Sequence, residues 1–387
     1  MTQDWQQLMS EAQRMRRQLH AAPELGWQET GTAEVIRAEL TRLGIEWRAC
    51  AQTGTVATLN AQAKGEHIAL RGDIDALPII ERTDVPWQSA HDGCMHACGH
   101  DGHTATLLAS AAWLKRVESQ LSGPVTLIFQ PAEEGGHGAR EMISDGALEG
   151  VDKIYGWHNW PAIEFGKLLC PDGIVMCGNG TFEITLTGVG GHASQPELCR
   201  DPVLAASALV QALQQIVSRR LAPQQATVVS ITSINAPSAP TVIPERAVIG
   251  GSIRVSDTRA RDQVNQLIES ISHQVAASYD VGCDVKIIPR YHATINHARE
   301  AANVRHAWTA LNGEMSLDCK SLVPIMASED FSYYLREIPG AFALIGADDG
   351  GTHHRHPCHS PYYDFNDRLL EPVTRLYSQL VGAPLPD

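Results

Sequence analysis

The sequence predicts an α/β protein of two domains: a larger one built on a largely parallel sheet, and a smaller one, of β-α-β-β-α-β order, inserted into it. Three observations carry that reading. Apolar runs of strand length alternate with helical periodicities in both outer parts of the chain, the pattern of a layered α/β fold. Between residues 178 and 292 the rhythm changes to alternating strands and two longer helices. Side chains that bind metals or move protons gather just after the strands of the outer parts, at the ends where an open parallel sheet forms its ligand crevice.

Taken in order, Trp5, Leu8, Ala12, Met15 and Leu19 fall at helical spacing, and Ala33, Ile36, Leu40 and Leu43 repeat it over 30–43 before Gly44. Two amphipathic helices therefore open the fold. Strands are expected at 56–59, 67–70, 125–129, 154–157 and 341–346, with helices at 104–114, 300–311, 328–335 and 365–381. The middle segment begins with the alternating strand TFEITLT at 181–187 and a helix at 202–218. Strands at 226–234 and 247–255, a helix at 259–279 and a strand at 284–288 complete it. This is the split βαβ, ferredoxin-like order. Residues 1–177 and 293–387 are thus expected to form the outer domain and 178–292 the insertion.

Length and composition agree with this division. A chain of 387 residues with 43% apolar side chains suits two domains of roughly 150 residues or more, each with a buried core. No apolar run approaches the ~20 residues that span a bilayer, and the opening residues lack the unbroken apolar core of a signal peptide. The expectation is a cytoplasmic protein with no membrane partner. Nine cysteines, an odd number in a chain this long, are expected to be reduced thiols rather than disulfide staples. A net charge of −14, with no basic stripe, excludes nucleic-acid binding by bulk electrostatics and points to a small-molecule ligand.

The stretch CMHACGHDGH, residues 94–103, packs two cysteines, three histidines and an aspartate into ten positions. Cys98 and His100 are two apart and cannot share a helical face, but in a turn entering a helix both can point at one centre. RGDIDALP (71–78), QPAEEGGHG (130–138), WHNWP (157–161) and THHRHPCHS (352–360) each follow a strand. An isolated Glu-Glu pair is ordinarily a solvated turn. Glu133 and Glu134, flanked by Pro131 and Gly135-Gly136, can instead divide two tasks, one binding a metal and the other acting as general base. His158 alone would read as a satisfied core histidine and Cys98 alone as a small buried hydrophobe; convergence argues for ligation. Thiolate, imidazole and carboxylate together suit a divalent transition ion such as Zn, Mn, Co or Ni. Five such ligands exceed one tetrahedral site and suit two ions about 3.5–4 Å apart with a water of lowered pKa between them.

Together these segments resemble the M20 metallopeptidase family, specifically its amidohydrolase branch of aminoacylases, hippurate hydrolases and auxin-conjugate hydrolases. The marks are LHAAPELGWQE (19–29), GDIDALP (72–78), MHACGHDGH (95–103), FQPAEEGGHGA (129–139), GGHASQP (190–196), SINAPSAPTVIPERA (233–247), GSIRVSD (251–257), SEDFSYY (328–334) and HSPYYDFND (359–367). The resemblance implies a zinc-peptidase-like catalytic domain carrying an inserted lid domain, and a homodimer or homotetramer. It implies metal ligation by Cys98, His100, Glu134, His158 and His359, with Cys98 as the bridge where the peptidase branch has aspartate. Glu133 becomes the base that activates water, and His192 the group that stabilises the developing oxyanion, in some relatives from across a dimer.

Asn235 and Arg254 match positions that engage the substrate's carboxylate, and Asp75 is left as a carboxylate that orients a ligand. His353 and His354 are the alternatives should His359 not ligate; His91, His96, His103 and His137 are expected to be structural or to support the ligands from behind, and Cys94 has no assigned role. The acyl pocket is expected around residues 176–181 and 325–328. The implied reaction is metal-assisted hydrolysis of an N-acyl amino acid, N-acetyl above all. The same centre also serves an N-acetylated diamino acid of the diaminopimelate or diaminobutyrate type, or a dipeptide. A metal- or ligand-binding module without catalysis is the reading from another class, but binding alone would not require Glu133.

Overall fold

The structure, a computed structural model, describes residues 3–385. It divides into two compact units. The first runs through Val175, resumes at Ile295–Val323 and continues from Asp330; the second comprises Met176–Thr294 and Pro324–Glu329.

The first unit is organised by a seven-stranded sheet in the order Trp47–Cys50, Gly54–Leu59, Val125–Gln130, Ile68–Asp73, Lys153–Glu164, Gly340–Asp348, Leu168–Leu169. The four strands from Val125–Gln130 to Gly340–Asp348 are parallel, and the outer ones are antiparallel. Every residue of Ile68–Asp73 and Val125–Gln130 is buried, as expected of parallel strands covered on both faces. Helices Gln3–Ala21, Thr30–Arg42, His100–Arg116, Ala298–Asn312 and Leu370–Leu380 supply the cover. Leu70, Leu107, Leu127, Trp157, Trp308, Ile345 and Tyr377 belong to the continuous core beneath them.

Several boundaries differ from expectation. The strand expected to end at 157 runs to Glu164, so His158 lies within it rather than closing it. Pro161 does not stop it because the ladder with Gly340–Asp348 is irregular between Gly346 and Asp348, where no N–H from this position is needed. The helix expected from 104 begins at His100, and the one expected at 328–335 occupies Ser332–Glu337. Leu370–Leu380 is preceded by a 3₁₀ turn at Asp367–Leu369. Unexpected elements are the edge strand Trp47–Cys50, three of whose four residues are exposed, and the short helix Gly138–Ser144.

The second unit holds a four-stranded antiparallel sheet in the order Thr227–Asn235, Arg246–Val255, Gly178–Thr187, Gly282–Pro289. Helices Pro202–Leu213 and Thr258–Ser278 cover one face, giving β-α-β-β-α-β in chain order. Burial alternates along Arg246–Val255, the period-2 signature of a sheet with one wet face. Asp201 caps the first helix through the N–H groups of Val203 and Leu204, and Asp257 caps the second through Ala260. The first helix ends at Leu213, short of the expected 218, and a five-residue π turn at Ile216–Arg220 follows. Pro324–Glu329 joins this unit because Met176 bridges Ile325 and the Cys177 N–H donates to the Ile325 carbonyl at 2.9 Å. Among the described residues no helix is long and apolar enough to cross a membrane.

Candidate metal centre

The centre is assembled at the carboxyl ends of the parallel strands. The strand Ile68–Asp73 delivers Asp73 and Asp75, Val125–Gln130 delivers the loop bearing Glu133 and Glu134, and Lys153–Glu164 carries His158. Gly99, at φ +99°, turns the chain between Cys98 and the first residue of the helix His100–Arg116. A Cβ at this position would meet Asn159 Oδ1 at 2.2 Å and the Tyr363 hydroxyl at 2.5 Å, so both backbone freedom and lack of side chain are required. Ala132 (φ 50°), His137 (φ 60°) and His359 (φ 68°) are non-glycine residues in the left-handed region. Such strain persists where the surroundings over-determine it and clusters at functional sites.

All five expected ligands and Glu133 come together. Donor atoms of Cys98, His100 and His158 lie within 4.8 Å of one another, as do those of Cys98, Glu134 and His359, and those of His100, Glu133 and Glu134. Cys98 Sγ is 3.3 Å from His158 Nε2, and His359 Nε2 is 3.0 Å from Glu134 Oε1. Cys98, His100, Glu133 and His158 are buried, whereas the His359 side chain is 52% exposed and so forms the solvent edge. Backbone carbonyls engage one ring nitrogen each of His100 and His158. His100 Nδ1 donates to the Asp75 carbonyl at 2.9 Å and His158 Nδ1 to the Asn159 carbonyl at 2.7 Å, which turns both Nε2 atoms toward the centre. Asp75 acts twice more: Oδ2 accepts the Glu134 N–H at 2.9 Å, and Oδ1 lies 3.3 Å from His100 Nδ1.

The electrostatics report a shortage of positive charge. Burial alone would push His100 down, but Asp73, Asp75 and Glu134 outweigh it and hold the imidazole at about 10. The hydrogen bond with Cys358, burial, and nearby Glu134 and Glu133 raise the Cys98 thiol well above its ordinary range. Burial would raise Glu134, yet His359 and His100 bring it below the usual carboxylate value. His158 is pushed well down by burial and by His103. A divalent cation would displace the protons on His100 and Cys98 and satisfy the same carboxylates. Among the described residues His100 Nε2, buried, has no hydrogen-bond partner, Asp73 Oδ2 lying 3.5 Å away, and the S, N and O donor set suits a transition ion. The residues fit metal ions.

Other expected residues fall elsewhere. In the second unit, His192 is exposed in the two-residue strand Gly191–His192, paired with Val242–Ile243. Its Nδ1 accepts the Ser194 N–H at 3.2 Å, which leaves the ring proton on Nε2. Arg254 is half-buried, donates to Ser328 Oγ at 2.9 Å and is lowered by burial. Asn235 is exposed at the far end of Thr227–Asn235, seven positions beyond Val228, the cross-strand partner of Arg254. At roughly 3.4 Å per residue, Asn235 and Arg254 of one chain do not grip one carboxylate together. The segments expected at the acyl pocket do meet: Cys177 Sγ is 3.5 Å from Met326 Sδ.

His353 and His354 join no donor group among the described residues, and His354 pairs instead with Asp349 at 3.0 Å. His103 bridges Asp73 and Asn159, His91 bonds the Pro23 carbonyl and His137 the Tyr333 hydroxyl. His96 is buried with neither nitrogen bonded among the described residues, and burial lowers it to about 4, so it is neutral. Sequence reasoning missed Asp330, whose N–H donates to Glu133 Oε1 at 3.2 Å, and Arg71, which holds Asp73 at 2.6 Å and Asp330 at 3.3 Å. The only signal was the motif SEDFSYY, and no spacing rule links it to Glu133.

Residues 69–383 match the model of peptidase family M20/M25/M40. The chain is 41% identical over 342 residues to the N-acetyl-L-cysteine deacetylase of Bacillus subtilis, covering 88% of this chain and 81% of that protein. It is 38% identical over 362 residues to IAA-amino acid hydrolase ILR1-like 2 of Arabidopsis thaliana, covering 92% and 81%. Among solved structures, the YXEP protein of Bacillus subtilis, a dinuclear metal binding peptidase from the M20 family, matches with a TM-score of 0.85 at 32% identity, over 97% of this chain and 98% of that one. The order of the parallel strands, the donors gathered at their ends and these likenesses agree: the chain belongs to peptidase family M20/M25/M40, in its amidohydrolase branch.

Proposed function

We propose that this protein is a metal-dependent amidohydrolase that cleaves N-acyl amino acids, N-acetyl ones foremost, to a carboxylate and a free amino acid. The observation that carries the reading is Glu133: its carboxylate lies within 4.8 Å of the donor atoms of His100 and Glu134, a place that metal storage alone would leave unused. The names of the relatives, an N-acetyl-L-cysteine deacetylase and an amino acid conjugate hydrolase, support the same chemistry. Cys98, His100, Glu134, His158 and His359 are the proposed ligands of two divalent transition ions, and Cys98, where the resemblance implies a bridge, belongs to two of the donor groups, as Glu134 does, while His100 belongs to three. When bound, such ions polarise a carbonyl and lower the pKa of water.

Glu133 takes a proton from the attacking water and returns it to the leaving amine. Asp75 fixes His100 and the Glu134 backbone. His192, whose Nε2 carries the ring proton, is the proposed donor to the oxyanion. Arg254 and Asn235 are proposed to contact the substrate at separate points, and the chain is proposed to form a homodimer or homotetramer, with His192 acting within one chain or across to its copy. The nine free cysteines accord with a cytoplasmic setting.

The test is a hydrolysis screen of metal-depleted protein reloaded with Zn, Mn, Co or Ni, against N-acetyl amino acids including N-acetyl-L-cysteine, hippurate, N-acetyl diamino acids and dipeptides. Metal-dependent release of an amino acid from an N-acyl substrate is expected. Release only from diamino acids or dipeptides would replace the substrate class, and stoichiometric metal binding without any release would replace the enzyme with a binding module.

A further inference from the structure

The loop that carries Glu133 and Glu134 spans two elements, from Gln130 at the end of its strand to the helix that begins at Gly138. It contains Ala132 at φ 50°, Gly135 at φ 93° and His137 at φ 60°. A loop so strained needs an external restraint to hold a general base within hydrogen-bond reach of its proton. The fully buried Asp330 touches it at three places. Asp330 Oδ1 accepts from Gln130 Nε2 at 2.8 Å, at the start of the loop. Asp330 Oδ2 accepts the Ala139 N–H at 2.9 Å, just past its end. Its own N–H donates to Glu133 Oε1 at 3.2 Å, in the middle.

Arg71 compensates the buried charge. Its Nη2 lies 3.3 Å from Asp330 Oδ1, its Nε donates to Gln130 Oε1 at 2.9 Å and its Nη1 to Asp73 Oδ2 at 2.6 Å. The carboxylate is thus pinned from three directions in a water-poor setting, where each bond is strong and a lost partner is costly.

From this arrangement we infer that Asp330 is the positioning residue for Glu133: its side chain clamps both ends of the catalytic loop while its backbone N–H fixes the orientation of the base. It lies outside the proposed ligand set, and its inferred part in the reaction is exerted through Glu133. The inference rests on the general-base reading above, and the experiment separates the two.

In Asp330→Asn the amide oxygen still accepts from Gln130 and Arg71, but Nδ2 faces the Ala139 N–H, donor against donor, and one end of the loop is released. Turnover of the best substrate of the screen is expected to fall about 10- to 100-fold, less than the ~10²–10⁴ a general base supplies. KM and metal stoichiometry should stay at wild-type values. A readout independent of turnover is the infrared carboxylate band of Glu133, identified as the band lost in Glu133→Gln, which should shift in Asp330→Asn. If that variant fails to fold, Gln130→Met loosens the same carboxylate from one side and should show the same shift with a smaller fall in kcat. An unmoved band with unchanged kcat would overturn the inference, and so would loss of metal in step with activity in both variants, the mark of a merely structural role. A moved band in a protein that hydrolyses nothing in the panel would sustain the positioning role while removing the proposed reaction.

Discussion

His20 ends in a buried charge cluster, its Nδ1 2.8 Å from Asp101 and its Nε2 3.2 Å from Glu81. Burial would lower its pKa, but Asp101 and Glu81 outweigh burial and hold it at about 9. Because this lies above the ~6.5 of an unfolded histidine, the proton stabilises the fold fully below about pH 6.5, and that stabilisation is lost as pH rises through about 9. The shift corresponds to roughly 3 kcal/mol, shared with Asp101 rather than added to it. Denaturant midpoints should fall from pH 6 to 8 and again from 8 to 10, levelling off above about pH 9, and His20→Gln should be less stable at pH 6 with a flatter profile above it. At the centre, neighbouring residues should separate cleanly. Glu133→Gln is expected to keep metal and lose ~10²–10⁴ of turnover, whereas Glu134→Gln should lose metal affinity; elemental analysis beside kcat decides. Retained turnover in Glu133→Gln would remove its assigned role.

At the scale of elements, the turn before His100–Arg116 is the most exposed to substitution. Gly99→Ala places a Cβ against Asn159 and Tyr363 and forces a left-handed φ on a residue with a side chain. A loss of about 1–3 kcal/mol is expected from backbone strain alone, with a lower Tm and substoichiometric metal, because the same turn aims both Cys98 and His100. Much of this level was legible in the sequence: elements with strong periodicity, such as Gln3–Ala21 and Thr258–Ser278, lie within two residues of expectation. So was the placing of ligand-type residues after strands, since a parallel sheet makes that position chemical whatever the loop. Less legible were elements whose signal is non-local. Trp47–Cys50 exists by pairing with Gly54–Leu59, and Lys153–Glu164 outlasts a proline because of an irregularity in its neighbour. Asp330 reads in sequence as part of a helix, and its work depends on Gln130, 200 residues earlier.

Across the whole molecule, each unit has its own apolar cluster, around Leu107 and Trp157 in one and Ile184 and Leu209 in the other. Calorimetry should therefore resolve two transitions, and the proposed ligands lie in only one unit. Adding metal should raise the transition of the first unit by mass action, and a chelator should lower it, with the second unmoved; a single transition moving as a whole would show that the two melt together. The proposed ligands are also unevenly spread along the chain. Cys98, His100, Glu134 and His158 precede the second unit, while His359 follows it, as does Gly340–Asp348, the strand that pairs with Lys153–Glu164. During synthesis, a nascent chain that has emerged as far as the second unit already displays four donors, but on a sheet with a bare edge and an unfinished site. On the proposed ligand set, the full complement of donors would form only once His359 and its strand are in place. A chain truncated before His359 would be both metal-poor and open along an unpaired strand, and so recognisable to proteases as unfinished.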